Sequence, residues 1–228
     1  MQNSFKDIDS YRLIRSARKT VSIAVMNRGE LVVRAPLKMS IQRIDAIIDS
    51  KTDWIVAKQK EMIAKSNSED TFLENSKEKA LYLGRFYDIT VVENYKYAFH
   101  FDSERFFIDS EYDKYRKQLF EKWIRRKGKS YLKQRLEHFS VITGYNFAKM
   151  GLTGASKRWG SCSTSGNINF SWRLMYAPPE VIDYVVVHEL AHLKEANHSS
   201  NFWALVRGIL PDFKKHKSWL DKHSYLLH

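Results

Sequence analysis

The 228-residue sequence predicts an α+β fold in which a β-rich lobe precedes a domain built mainly from helices. Short runs rich in β-branched and aromatic residues are concentrated before residue 110. After residue 111 the apolar residues recur at helical spacing, and one helical stretch carries two histidines four positions apart. We therefore expect two domains, residues 1–110 and residues 111–228.

The N-terminal lobe is predicted to hold two β-meanders separated by one long helix. A turn at residues 27–29 joins two of the strands, and Ser40 is a typical N-cap for a helix of about 25 residues. Residues 66–78 are polar and are expected to form a surface connection. The strands are expected at residues 11–15, 21–25, 31–34, 82–92, 98–101 and 106–108.

The C-terminal domain is predicted to begin with a helix over residues 113–139, broken near Gly128. A hairpin follows at residues 157–174, with its second strand running as far as Leu174. Two prolines and Glu180 then provide a favourable first turn for the histidine-bearing helix. Two further helices are expected after His198, before and after Pro211.

His188 and His192 belong to an H-E-x-x-H pattern. Residues four apart on an α-helix share one face, about one turn apart, so both imidazoles can bind one ion. Glu189 is placed to act on a metal-bound water rather than to bind the metal. The pattern is typical of a zinc site in which the glutamate is the general base.

A catalytic zinc site needs a third protein ligand, and His198 is the best candidate. It follows His188 by ten positions, which is the offset of the third histidine in H-E-x-x-H-x-x-G-x-x-H. This choice requires the helix to end near residues 196–197 and the chain to reverse, with Asn197 suited to a left-handed end. Glu195 is the alternative, but along a straight helix it lies roughly 10 Å from His188. A metzincin is disfavoured, because Glu195 replaces the glycine and no methionine follows Met175.

Composition narrows the class of protein. The formal charge of +12 and the pI of about 9.6 predict attraction to polyanions, including nucleic acid, without selecting one. The single Cys162 excludes an internal disulfide, fits a reducing compartment and is expected to be a packing residue. We see neither a signal peptide nor an apolar stretch of about 20 residues, so we expect a cytoplasmic protein without membrane contact.

Several motifs together resemble the YgjP-like metallopeptidase family, which is related to the SprT-like and WLM zinc proteases within the zincins. The resemblance is most specific over residues 149–205. It implies a zincin-like fold, with His188, His192 and His198 as zinc ligands and Glu189 as the catalytic acid/base. Members of this family have also been described as nucleotide pyrophosphohydrolases. The motifs lie at residues 158–162, 167–168, 172–174, 177–178, 188–192, 197–198 and 202–203.

The sequence therefore predicts a zinc-dependent metallohydrolase with one zinc ion per chain. Lys157, Arg158 and Arg173 are candidates for contacting negative charge on the substrate or in the transition state. A peptide substrate would pair with an edge strand, for which residues 168–170 are expected to serve.

Two other functions stay open. One is hydrolysis of nucleoside triphosphates to release pyrophosphate at the same zinc site. The other is a nucleic-acid-associated binding module with a structural zinc. The complete H-E-x-x-H disfavours the module, because a structural site is normally closed by four ligands and has no need of the glutamate.

Overall fold

The computed structural model describes residues 11–75 and 79–227. The chain forms two compact units that meet in the sequence at residues 72 and 73. Both contain strands and helices, so the predicted α+β class is confirmed. The expected domain boundary at residue 110 falls inside the second unit, since the strands before it pack on that unit's core. The division of the chain into two domains, residues 1–110 and 111–228, therefore stays a prediction.

The first unit has a three-stranded sheet and two helices. Its strands are β1 (Arg12–Ser16), β2 (Ser22–Val25) and β3 (Leu31–Pro36). The order is β1-β3-β2, with β3 parallel to β1 and antiparallel to β2, so the predicted meander is wrong. The central position of β3 explains why its side chains provide much of the core. That core consists of Leu31, Val33, Ala35, Ile44, Ile48 and Ile55.

The predicted long helix is two helices, α1 (Ile41–Asp49) and α2 (Thr52–Asn75). Ser40 caps the first, since its hydroxyl accepts a hydrogen bond from the Arg43 amide at 3.4 Å. The break follows Ser50, whose hydroxyl donates to the Ile47 carbonyl at 2.7 Å. The expected surface connection at residues 66–78 is helical as far as Asn75, and residues 76–78 lie outside the described residues.

The second unit begins with a four-stranded sheet. It contains β4 (Lys79–Tyr82), β5 (Arg85–Val92), β6 (Phe99–Phe101) and β7 (Phe106–Asp109) in the order β4-β5-β7-β6. Because β5 and β7 pair in parallel, this sheet is not the predicted meander either. Its inner face is aromatic and contributes to the main core.

Helix α3 (Arg116–Thr143) crosses that core without interruption, although a break was predicted at Gly128. Gly128 is buried, and a Cβ atom there would lie 2.7 Å from Cγ of Met175. This glycine therefore permits the close approach of the 3₁₀ turn Trp172–Tyr176 and does not end the helix.

A second, three-stranded sheet is formed by β8 (Lys149–Thr153), β9 (Gly160–Cys162) and β10 (Asn167–Ser171). The order is β8-β10-β9, with β10 parallel to β8 and antiparallel to β9. Strand β10 ends at Ser171, three residues before the predicted end at Leu174, where the 3₁₀ turn begins. Because β10 is central, the two edges of this sheet are β8 and β9.

Helix α4 (Pro179–Ala191) is largely buried, and it packs against α3, α5 (Ser200–Ile209), α6 (Phe213–Lys222) and β9. Its Asp183 forms a bidentate ion pair with Arg135 of α3, at 2.6 and 2.8 Å. None of the described helices is long and apolar enough to cross a membrane.

Candidate active site

Three histidines converge at the C-terminal end of α4. His188 lies in the last turn of the helix, His192 is its C-cap residue, and His198 lies in the loop before α5. One ring nitrogen from each lies within 4.8 Å of the others. The Nε2 atoms of His188 and His198 are 3.1 Å apart. This separation is close to the roughly 3.3 Å expected for two nitrogen ligands at about 2.05 Å from a tetrahedral zinc.

The loop that brings His198 back differs from the one predicted. Helix α4 ends at Ala191 rather than near residues 196–197, so turn residues begin at His192. Asn197 does not have a left-handed conformation. The chain instead enters α5 at Ser199, whose hydroxyl accepts a hydrogen bond from the Phe202 amide at 3.2 Å. The early helix end gives His198 the length of loop that it needs to reach the other two rings.

Glu195 orients one imidazole through its backbone. Nδ1 of His192 lies 3.0 Å from the Glu195 carbonyl oxygen, so this nitrogen carries the proton and donates. In the neutral ring this tautomer leaves Nε2 as the nitrogen available to a metal. The Glu195 carboxylate instead accepts a hydrogen bond from Ser199 at 3.5 Å, and it does not belong to the histidine cluster.

Two aromatic residues of α5 support the cluster. The ring of Phe202, which is fully buried, lies 4.6 to 4.9 Å from all three imidazole centroids. The ring of Trp203 stacks on His198 at 5.6 Å and 22°, and Phe213 stacks behind Trp203 at 5.3 Å. The sequence does not reveal this support, because Phe202 and Trp203 have the spacing of ordinary helix residues. The available signals were the family motif at residues 202–203 and its closeness to His198 in the chain.

Burial lowers the pKa of two of the three histidines, His188 and His198. It lowers the pKa of His188 to about 3, with smaller contributions from His192 and His198. Burial also lowers the pKa of His198, and His192 adds to this effect. The two rings are therefore neutral at pH 7, which is the form of imidazole that binds a metal. Neutral imidazole nitrogens are donors that suit zinc and similar divalent ions.

Glu189 directly follows His188 in α4, and its side chain faces strand β9. It is one of the few buried charged residues among those described, with 6% of its surface exposed. Burial raises the pKa of its carboxyl group to about 8, and Arg158 acts in the opposite direction. A strongly perturbed carboxyl group next to a histidine cluster is typical of an active site. Its immediate neighbour on β9 is Gly160, which lies in the motif at residues 158–162 but has no function predicted from the sequence.

A comparison with known protein families shows to which family the chain belongs. The family described as YgjP-like, metallopeptidase domain, matches residues 19–223. The chain belongs to the YgjP-like metallopeptidase family. The predicted resemblance is thus confirmed over most of the sequence.

One similar solved structure is that of the metallopeptidase zymogen of Pyrococcus abyssi abylysin. It is 28% identical, and the match covers 40% of this chain and 93% of that chain with a TM-score of 0.37. No curated protein matches the sequence. Membership of the YgjP-like family makes the chain a metallohydrolase, and the family implies a divalent metal.

The three candidate substrate-binding residues of this YgjP-like chain differ in their contacts and in their closeness to the histidine cluster. Arg158 is exposed and lies close enough to Glu189 to lower its pKa. Lys157 is also exposed, and no contact in the described parts of the chain joins it to the histidines. Arg173 donates to the Gly154 carbonyl at 3.1 Å and stacks on Trp172 at 4.6 Å. Arg158 is therefore the one of the three that the fold places beside the candidate site.

Cys162, the last residue of β9, is partly buried and packs against the main core, as predicted for a packing residue. Burial and the nearby Glu189 raise the pKa of its thiol. The thiol donates weakly to the Ser163 carbonyl at 3.5 Å, and Cys162 is not part of the histidine cluster.

Proposed function

We propose that the chain is a zinc-dependent metallopeptidase in which His188, His192 and His198 hold one zinc ion and Glu189 is the general base. The observation that supports this most strongly is the convergence of three imidazole nitrogens within 4.8 Å, next to a buried carboxyl group. Three protein ligands leave a fourth position for water or substrate, which is the arrangement of catalytic rather than structural zinc.

The protein's own groups then have distinct tasks. Zinc, when bound, acts as a Lewis acid and lowers the pKa of a coordinated water from 15.7 to about 7. The charge of a divalent ion held by the three histidines would lower the raised pKa of Glu189 and favour its carboxylate form. That carboxylate accepts a proton from the attacking water and returns it to the leaving amine. The positive charge of Arg158 favours the carboxylate form of Glu189 and is available to negative charge that develops in the transition state.

A peptide substrate is proposed to pair with the free edge of β9. The expected use of residues 168–170 for this purpose is wrong, because β10 is hydrogen-bonded on both sides. Strand β9 lies at the edge of the sheet and contacts α4 beside Glu189. Main-chain hydrogen bonds to β9 would place an extended peptide along the carboxyl group.

The proposal is tested by screening the purified protein against a peptide library and a nucleotide panel, each with and without a chelator. We expect peptide cleavage that the chelator abolishes and added zinc restores. Cleavage of nucleoside triphosphates without peptide cleavage would favour the pyrophosphohydrolase. If neither substrate class is turned over, the nucleic-acid-associated module with a structural zinc would be favoured.

Salt dependence separates the two hydrolytic reactions further. Exposed charges are screened beyond about 8 Å at physiological ionic strength, so the KM for a triphosphate should rise steeply with salt. Main-chain pairing of a peptide should depend little on salt. The Lys157→Ala/Arg158→Ala variant should raise a triphosphate KM while the zinc content is unchanged, and a normal KM would exclude phosphate binding by this pair.

A further inference from the structure

Strand β9 meets helix α4 through a glycine. Gly160 pairs with Phe170 of the central strand, and its Cα faces the Glu189 side chain. A Cβ atom added to Gly160 would lie 2.5 Å from Oε1, 2.8 Å from Cγ and 2.9 Å from Cδ of Glu189. Non-bonded heavy atoms normally approach to about 3.5–4.0 Å. No side chain can therefore occupy position 160 unless Glu189 or β9 moves.

The backbone does not demand glycine at this position. The φ angle of Gly160 lies outside the left-handed range that favours glycine, unlike those of Gly84 and Gly166. The three nearest atoms to the added Cβ all belong to Glu189. The requirement for glycine at position 160 is thus a requirement for space next to one carboxyl group.

We propose that Gly160 is a positioning residue for Glu189, an inference that rests on the proposed role of Glu189 as the general base. The absent side chain lets β9 lie directly against the carboxyl group and fixes its distance from the histidine cluster. A general base must come within about 2.6–3.2 Å of the proton that it removes. A misplacement of about 1 Å can cost about 10²-fold in rate.

The same short strand then controls two distances. Its free edge is the proposed site of peptide pairing, and Gly160 sets how closely that edge approaches Glu189. The scissile bond and the base are both placed by β9, so their separation depends on a strand of three residues. A methyl group at position 160 would increase this separation.

The first experiment compares Gly160→Ala with wild type in the full chain. We expect kcat for peptide cleavage to fall about 10²-fold, with zinc affinity, measured by competition with a chelating dye, unchanged. Gly208→Ala is the matched control, because a Cβ there meets nothing within 4 Å, and it should keep the wild-type kcat. A wild-type kcat in Gly160→Ala, alongside an inactive Glu189→Gln, would overturn the inference and leave the proposed function intact.

A rescue experiment separates positioning from general damage. Glu189→Asp shortens the side chain by one methylene and so removes Oε1, the atom in the closest contact at 2.5 Å, which relieves part of the crowding by the added methyl group. In the Gly160→Ala background we expect Glu189→Asp to restore part of kcat, or part of the thermal transition if Gly160→Ala folds poorly. Independent losses that multiply in the double variant, with no recovery of either quantity, would contradict the inference. Full activity of Glu189→Gln would instead reject the proposed function itself.

Discussion

The two small sheets of the second unit have similar pairing but different inner surfaces. Each combines one parallel with at least one antiparallel pair. The sheet β4–β7 is packed with rings: Phe106 lies 4.4 Å from Phe101 and 4.9 Å from Trp123, centroid to centroid. In the sheet β8–β10, the strand nearest α4 instead begins with Gly160, next to the carboxyl group of Glu189.

This difference separates a sheet whose packing stabilises the fold from a sheet that lies against an energetically unfavourable group. Tightly packed aromatic rings contribute apolar burial and favourable edge-to-face contacts. A buried carboxyl group is unfavourable unless it is paired, or neutralised by a raised pKa. The ring-filled sheet is therefore a structural element, and the glycine-containing sheet accommodates a group that stability alone does not favour.

The largest effect, a loss of zinc binding, should follow from removing one of the three clustered histidines near the sheet β8–β10. His188→Ala removes one of the three converging nitrogens, so zinc binding should weaken by more than the roughly 10- to 100-fold typical of losing an outer partner. Zinc content after dialysis measures this, and His192→Ala and His198→Ala should behave alike. His100→Ala is the control in the first sheet, where the ring stacks on Tyr97 at 5.2 Å. Full zinc occupancy in His198→Ala would show that the third ligand lies elsewhere.

Substitutions in the ring-filled sheet β4–β7 should lower the free energy of unfolding and leave zinc affinity unchanged. Phe106 is fully buried, so Phe106→Ala should lower the free energy of unfolding by about 3–5 kcal/mol. Phe107, on the opposite face of the same strand, is only partly buried, and Phe107→Ala should cost less. Denaturant titration measures both. A loss of zinc affinity in folded Phe106→Ala would break the distinction between the two sheets.

A smaller loss of zinc affinity is expected from substitution of Trp203, whose ring stacks on His198. An aromatic pair contributes about 0.5–1.5 kcal/mol, so Trp203→Leu should weaken zinc binding by about tenfold or less through looser placement of His198. Trp219→Leu is the matched control, because Trp219 stacks on His223 at 4.0 Å, away from the cluster. Equal zinc affinities in the two variants would mean that the loop backbone alone places His198.

Local patterns made part of this structure predictable. The spacing of His188, Glu189 and His192 along one helix follows from helical periodicity, and β-branched runs marked the strands. Strand order could not be read in this way, because β10 becomes central only by pairing with one strand on each side, β8 and β9. The roles of Gly128 and Gly160 were also hidden. A glycine in the sequence indicates flexibility, whereas the side chain that it faces depends on tertiary packing.

The variant Glu189→Gln tests the proposed catalytic centre most directly, through zinc content and peptide turnover measured on the same preparation. The amide is nearly isosteric with the carboxyl group, so it should still fit against Gly160 while lacking the basicity needed for proton transfer. We expect about one zinc ion per chain and a thermal transition close to wild type, with kcat lowered by about 10²-fold or more. Unchanged turnover in this zinc-loaded variant would contradict the role of Glu189 as the base.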